Sequence, residues 1–592
     1  MTTDQAIVFA VLGAALVMFM WGRFRYDIVA ILALLAVVLT GVLPVEQAFD
    51  GFAHPAVVTV AAVLVISRAL QNAGIVDVVL RVLAPLRGRA NLQLIAQTLV
   101  VAVLSAFMNN VGALALMLPV ALRNAYRDGY SPARALMPLA FGSILGGLST
   151  LIGTPPNIII AAYRAEALGE GFSMFDFAPV GAVVALLGVT FVALVGWRLI
   201  PRERLEAQSR EAMFNVADYV TELRVPEESE LAGKTIDDIE ALAEDDAVIV
   251  ALVREESRRL VPRGYETVRA GDILVVESDP AALKELLNTT DFELEEDKEI
   301  LTDDLSSDEI GIQEVIVGPA SSVRGRSPAN LLLRTVHGVN LLAVSRQGRR
   351  ITRRLSHAQL QAGDVLLLQG PTERLPATLA EFGLLPLAER ELSIARPRHL
   401  LLSAGIFGAA IVTVMTGTLP AHVAFVGAVA VLALLSVIRG EEIYKAIDWP
   451  VIVLLGALIP VGATLETTGG TALIADGMLA MTASLGPVWV LVVLMVGTMF
   501  LSDVINNNAT AVLMAPLALD IASRLEISAD PLLMAVAIGA SCAFLTPIGH
   551  QSNTLVLEPG GYRFGDYWRM GLPLEAIIVV TSVPLLLVFW PF

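Results

Sequence analysis

The sequence predicts an α-helical polytopic membrane protein built from two inverted repeats with re-entrant hairpins and broken helices, divided by a soluble α/β insert of two tandem small modules. Three observations predict this. The chain is apolar in long runs, its first and last thirds match each other, and its composition turns water-soluble between them.

With 592 residues, 55% hydrophobic and only 17% charged, and a mean hydropathy of +0.70, the chain is too apolar to be soluble as a whole. A bilayer core takes about 20 mostly apolar residues per span. Runs of that kind occur near 5–22, 27–44, 56–71, 92–122, 134–163 and 177–199, and again from 399 to 590. The first run has no positive cluster before it and no small-residue cleavage site after it, so it reads as a retained helix rather than a signal peptide. The single cysteine, Cys542, excludes an intramolecular disulfide and a cysteine metal cluster. The net charge of −18 speaks against a nucleic-acid partner, and much of it lies in the central segment.

The apolar runs stop between Arg202 and about Pro397, which divides the chain into 1–201, an insert, and 398–592. Within the insert, short apolar strands (248–253 and 341–345), an Ala-Gly-Asp turn (Ala270, Gly271, Asp272 and Ala362, Gly363, Asp364), a β run and a helix recur in the same order. Two copies of one module, 202–290 and 310–397, are the simplest reading. The segment between them, 291–309, holds ten acidic residues and one lysine. It lacks the glycine-turned spacing of a calcium loop, so it reads as a solvated acidic linker.

The repeat is read from the Asn-rich motifs. Ser105, Asn109, Asn110 and Pro119 align without a gap with Ser502, Asn506, Asn507 and Pro516. The match extends to Pro55 with Pro450 and Gly74 with Gly469. It continues through Gly153-Thr154-Pro155-Pro156-Asn157 with Gly549-His550-Gln551-Ser552-Asn553, and Gly181 with Gly571. Loop charges supply the inversion. The loop with Arg81, Arg87 and Arg89 has no basic counterpart in 469–486, whereas the loop at 46–55 has none while its counterpart holds Arg439 and Lys445. Basic loops are retained in the cytoplasm, so equivalent loops lie on opposite sides. The insert follows Arg198, Arg202 and Arg204 and is expected in the cytoplasm.

Asn109 and Asn110 interrupt a run, 91–122, that begins and ends at basic loops, which predicts a hairpin turning at the asparagines; Asn506, Asn507 and Asn508 predict the matching tip. Gly153 to Asn157 and Thr546 to Thr554 predict broken helices, because proline removes donors and glycine admits unusual dihedrals. Such turns are tolerated at membrane depth only where protein, ions or water satisfy the backbone. Carbonyls at half-helix ends, asparagine oxygens and serine hydroxyls are hard neutral ligands that suit sodium. Half-helix N-termini offer N–H groups to an anion.

These motifs, with the closing PIGHQSNTLVLEPGGYRFGDYWRMGLPL, resemble the divalent anion:sodium symporter (DASS) family of the ion-transporter superfamily across nearly all of 1–200 and 398–592. The resemblance implies a homodimer of elevator type. One sodium would sit near Ser105, Asn110 and Gly153, and another near Ser502, Asn507 and Gly549. Substrate would lie between the tips, near Asn109, Val111, Thr154, Asn506, Asn508 and His550. No organic cofactor is implied, and the chain is not expected to be an enzyme. The insert modules resemble the C-terminal (TrkA-C-like) domain of the regulator-of-potassium-conductance family, which in relatives pairs into dimers and sometimes binds small regulatory ligands. Dicarboxylate-transporting members show Ser-Asn-Thr at both tips, whereas Val111 and Asn508 stand here where threonines are usual. With the regulator-type modules, this ranks sulfate or a similar oxyanion first and a dicarboxylate second. A bacterial inner membrane is the expected location, with lipid around the helices.

Asp503, matched by the uncharged Ala106, is read either as a coupling carboxylate or as a hairpin cap. His550 is either an anion contact or a hydrogen-bonded structural residue. If Asp503 titrates, a proton-coupled antiporter or cation exporter of the same superfamily is the competing reading. A potassium channel would need a Thr-Val-Gly-Tyr-Gly filter. An enzyme would need a nucleophile elbow, a Walker loop or a zinc motif. The chain has none of these.

Overall fold

Proline opens many of the membrane helices, in the first turn, where its missing N–H breaks no bond. The computed structural model describes residues 1–21, 23–74, 84–86, 89–128, 130–205, 220–227, 229–242, 247–254, 257–260, 264–278, 286, 289–294, 310–319, 321–331, 333–346, 349–351, 358–371, 374–386, 397–482 and 486–592. Arg81, Arg87, His357 and most of the acidic linker, 295–309, lie outside the described residues.

The first half comprises α1 (Thr3–Trp21), α2 (Tyr26–Leu39), α3 (Pro55–Asn72), α4 (Ala90–Phe107), α5 (Asn110–Arg127), α6 (Ala133–Gly147), α7 (Pro155–Leu168) and α8 (Ala178–Leu194). The second half comprises α9 (Pro397–Met415), α10 (Ala421–Leu434), α11 (Trp449–Thr467), α12 (Gly470–Thr482), α13 (Pro487–Val504), α14 (Asn507–Leu525), α15 (Asp530–Ser541), α16 (Gln551–Leu557) and α17 (Tyr567–Phe589). Among the described residues, five segments are long and apolar enough to cross a bilayer: Thr3–Trp21, Val45–Asn72, Trp449–Thr467, Pro487–Val504 and Phe564–Phe589.

The two halves interlock in a reciprocal way. α2 packs on α11 while α10 packs on α3. The hairpins α4/α5 and α13/α14 each pack against the first part of their own broken helix, α6 and α15. The second arms cross over, α5 onto α16 and α14 onto α7. Bonds repeat the exchange. The Tyr562 hydroxyl, just after α16, donates to Ala133 O (2.5 Å) and accepts from Met137 N (2.8 Å) at the start of α6. Arg164 on α7 forms a bidentate pair with Asp530 at the start of α15 (2.8 and 3.0 Å).

Between apolar helices in lipid, close packing rather than water exclusion drives association, so small residues mark the contacts. Gly181 on α8 and its counterpart Gly571 on α17 show this. A Cβ on either would collide with the carbonyl of the residue where the adjacent break begins, Leu148 or Phe544. The halves meet at an aromatic cluster in which Phe141 and Phe544 lie with ring centroids 4.8 Å apart, flanked by Tyr567.

The insert forms two five-stranded antiparallel sheets from β1 (Val220–Arg224), β2 (Ala247–Arg254), β3 (Ser257–Leu260), β4 (Ile273–Ser278), β5 (Glu293–Leu294), β6 (Ile310–Val317), β7 (Asn340–Arg346), β8 (Arg349–Arg350), β9 (Val365–Pro371) and β10 (Leu384–Pro386). Their orders, β3-β2-β4-β1-β5 and β8-β7-β9-β6-β10, are the same order of successive strands. Both carry a register shift at the same place, between Ile249 and Ala251 and between Leu341 and Ala343. The Ala-Gly-Asp turns use glycine at φ +82° (Gly271) and +89° (Gly363), a region open to glycine at low cost. Asp272 accepts a bidentate pair from Arg254, and Asp364 from Arg346. Among the described residues, the second sheet's turn meets the membrane segments and the first sheet's turn does not. There Tyr126 at the end of α5 donates to Gly363 O (3.4 Å), and Arg324 pairs with Glu558 (2.9 Å). A Cβ on Gly363 would lie 2.6 Å from Pro559 Cα, whereas one on Gly271 would meet no described atom within 4 Å.

Candidate ion and substrate site

Asparagine suits the hairpin tips for a local reason. After α4, Met108 is extended and Asn109 caps α5, its Oδ1 accepting from Val111 N (3.4 Å). After α13, Ile505 is extended and Asn506 caps α14, its Oδ1 accepting from Asn508 N (2.9 Å). The first asparagine of each tip thus closes the turn as an N-cap. Of the second and third positions, Asn110, Asn507 and Asn508 are buried.

The breaks are built to one plan. Thr154 precedes α7 and His550 precedes α16, both with extended backbone. The Asn157 amide donates to Gly147 O (3.4 Å) and Thr150 O (2.8 Å). Asn553 donates to Ala543 O (2.8 Å) and Thr546 O (3.1 Å), at the same offsets of ten and seven residues. The Thr150 hydroxyl donates to Ala106 O and accepts from Gly153 N (3.2 Å). Thr546 donates to Asp503 O (2.6 Å) and accepts from Gly549 N (3.2 Å). Protein groups therefore satisfy backbone that helix hydrogen bonding leaves open. These braces were not singled out from sequence, although Thr-x-x-Gly-x-x-x-Asn recurs in both halves, at 150–157 and 546–553.

A cavity opens where tips and breaks meet. It is lined by Asn109, Asn110 and Val111, by Asn506, Asn507 and Asn508, and by Pro155, His550 and Gln551, with Val60, Leu64 and Val451 closing it. None of these side chains is an acid, a lysine or an arginine. Asn508 is buried, and its Oδ1 has no partner among the described residues. Thr154, expected near the substrate, is fully buried at the start of α7 and outside the cavity lining, its hydroxyl unpartnered among the described residues.

The two expected sodium groups differ. In the first half the Asn110 amide lies 2.7 Å from Ser105 Oγ. A Cβ on Gly147 would contact the same end of that amide and would lie 3.1 Å from Gly153 O, so Ser105, Asn110 and Gly153 converge. These oxygen-bearing groups fit an alkali cation in donor type. In the second half Ser502 Oγ donates to Ala540 O (2.5 Å), and Asn507 Oδ1 accepts from Asn508 N (3.0 Å). Gly549 does press on the Ser502 carbonyl. The Ser502 hydroxyl and the Asn507 amide, however, are turned to other partners. Across the halves, the far end of the Asn110 amide meets His550 Nε2 at 3.1 Å, and His550 Nδ1 accepts from Ser552 N (3.0 Å).

Asp503 is buried behind the second break rather than in the cavity lining. Its Oδ1 accepts from Leu545 N (2.9 Å), and its carboxyl faces that of Glu575, which accepts from Phe544 N (3.2 Å). Among the described residues, the backbone N–H that its carboxylate accepts belongs to the break and not to the hairpin. Sequence reading missed Glu575, a lone acid in an apolar stretch of α17, where an intramembrane carboxylate is itself a signal.

The profile of the citrate transporter family (CitMHS) matches residues 16–493 and 481–592. The chain belongs to the citrate transporter family. As a member it is an integral membrane transporter of the ion-transporter superfamily. It is 32% identical to the uncharacterized transporter YfbS of Escherichia coli over 99% of each chain. It is 31% identical to the uncharacterized transporter sll0640 of a Synechocystis strain over 98% of this chain and 96% of that one. At 22% identity, over 91% of this chain and 83% of the other, it resembles the probable sodium/sulfate cotransporter 3 of Chlamydomonas reinhardtii.

Proposed function

We propose that the protein is a sodium-coupled symporter of a small divalent anion, sulfate or a similar oxyanion first, of the divalent anion:sodium symporter type. The observation that carries this is the convergence of Ser105, Asn110 and Gly153 beside a cavity lined by amides and an imidazole with no fixed charge. An anion entering such a cavity lacks a cationic side chain to neutralise it, so a co-bound cation is the natural counter-charge. The similarity to a sodium/sulfate cotransporter supports the same substrate class. A second sodium near Ser502, Asn507 and Gly549 needs the Ser502 hydroxyl to leave Ala540.

The interlocked hairpins and breaks would move together past α1–α3 and α9–α12 as an elevator, in a homodimer in the bacterial plasma membrane, with 202–397 in the cytoplasm. The two modules are read as TrkA-C-like, with room for a small regulatory ligand. The description of the matched family favours one second reading, a sodium-coupled di- or tricarboxylate carrier. The buried Asp503 and Glu575 pair favours another, proton coupling. Uptake of labelled sulfate into proteoliposomes decides among them. The proposal expects uptake with an inward sodium gradient, none with choline, and no substitution by a pH gradient. Uptake of citrate or succinate but not sulfate would replace the substrate, and sodium-independent, pH-driven uptake would replace the coupling ion.

A further inference from the structure

We propose that Asn110 and His550 form an exchange pair that makes the anion site answer to sodium, an inference that rests on the sodium-coupled reading above. His550 Nδ1 accepts the backbone N–H of Ser552 (3.0 Å), so the ring proton is on Nε2 and the ring is neutral. That Nε2–H lies 3.1 Å from the Asn110 amide and needs an acceptor there. The two ends of an amide are nearly isosteric, and hydrogen bonding decides which is oxygen. The Asn110 oxygen therefore faces His550, and its NH₂ faces Ser105 Oγ, 2.7 Å away.

The Ser105 end of that amide is the end beside Gly147 and Gly153, where a cation would bind. A cation there requires the oxygen at that end. Reversing the amide brings its NH₂ to the Nε2–H of His550, donor against donor, and the bond between the repeats is lost. His550 lines the cavity, so its released Nε2–H is a donor for an anion oxygen. In this scheme the empty ion site keeps His550 occupied, and the filled one hands it to substrate, with no change of protonation. The repeat counterpart of His550 is Thr154, which lies outside the cavity lining, so the device exists in one half only.

Thermal unfolding of the purified full chain, titrated with sodium chloride and with choline sulfate or sodium sulfate, tests the pair. His550→Ala removes the competing bond, so sodium alone should act at about fivefold lower concentration, the equivalent of one ordinary hydrogen bond. Asn110→Ala removes a ligand of the proposed sodium site, so sodium alone should no longer stabilise the protein at the wild-type midpoint. An unchanged or raised sodium midpoint in His550→Ala overturns the exchange, as does an unchanged sodium midpoint in folded Asn110→Ala. If Asn110→Ala does not fold, Asn110→Ser takes its place with the same two outcomes. If wild-type protein responds to sulfate equally in sodium and choline, the coupling itself is refuted, and the exchange with it.

Discussion

The Thr546 hydroxyl donates to the Asp503 carbonyl at 2.6 Å, and through this bond the second break hangs from the end of its own hairpin. Thr150 does the same for the first break through Ala106. Each half thus ties its break to its own hairpin by one side-chain hydrogen bond.

The asparagine braces are the cheapest place to loosen a break. Asn553→Ala leaves Ala543 and Thr546 carbonyls without the amide, and unsatisfied buried groups cost about 1–3 kcal/mol each. The expected result is a thermal midpoint lower by several degrees in detergent and loss of uptake. Asn157→Ala should do the same through Gly147 and Thr150. Wild-type stability and uptake in both variants would show that the breaks hold themselves.

The Arg164 and Asp530 pair, with side chains 19% and 15% exposed, ties α7 to the start of α15. Removing one partner of a mostly buried pair is worse than removing both. Asp530→Asn is expected to destabilise by about 1–3 kcal/mol, and Arg164→Met with Asp530→Leu by less than either single change. Unfolding midpoints of the three variants, read as a double-mutant cycle, check the ordering.

The two Ala-Gly-Asp turns offer a matched comparison. Alanine at Gly271 or Gly363 pays the cost of a left-handed backbone, about 1–2 kcal/mol. Only at Gly363 does the new Cβ also meet Pro559 at 2.6 Å. Gly363→Ala should therefore lower the unfolding midpoint further than Gly271→Ala and should disturb uptake, whereas Gly271→Ala should not. Equal effects would mean the contact with Pro559 carries no stability.

Gln551 lines the cavity and also donates to the Tyr26 hydroxyl (3.1 Å) at the start of α2. Tyr26→Phe deletes one bond, worth about 1 kcal/mol, between the cavity lining and α2, a helix of the proposed static part. The protein should fold normally, and the rate of uptake should change by up to about fivefold. An unchanged rate would remove Tyr26 from the transport cycle.

Tips and breaks were legible in the sequence because asparagine, glycine and proline interrupt an otherwise helical pattern, and the interruption occurs twice. The insert was legible because its glycine turns punctuate apolar strands. Partners in space were not. Nothing local tells Ser502 to bond Ala540 rather than face Asn507, because the choice depends on how α13 packs on α15. Glu575 lies 72 residues from Asp503, and only the packing of α17 on α13 and α15 brings them together. Val111 and Asn508 line the cavity, whereas Thr154 is buried at the start of α7 outside that lining, a difference from its repeat partner His550 that the sequence alignment does not show.

The docking of Gly363 on Pro559 has a practical reach. The two modules share one sheet plan but not one surface: the turn of the first is exposed, and that of the second is covered by α5 and the segment after α16. Produced alone, the first module would keep the face it already shows to solvent. The second would uncover a face shaped for another part of the chain, so it is the fragment expected to aggregate or to need its membrane partner for solubility.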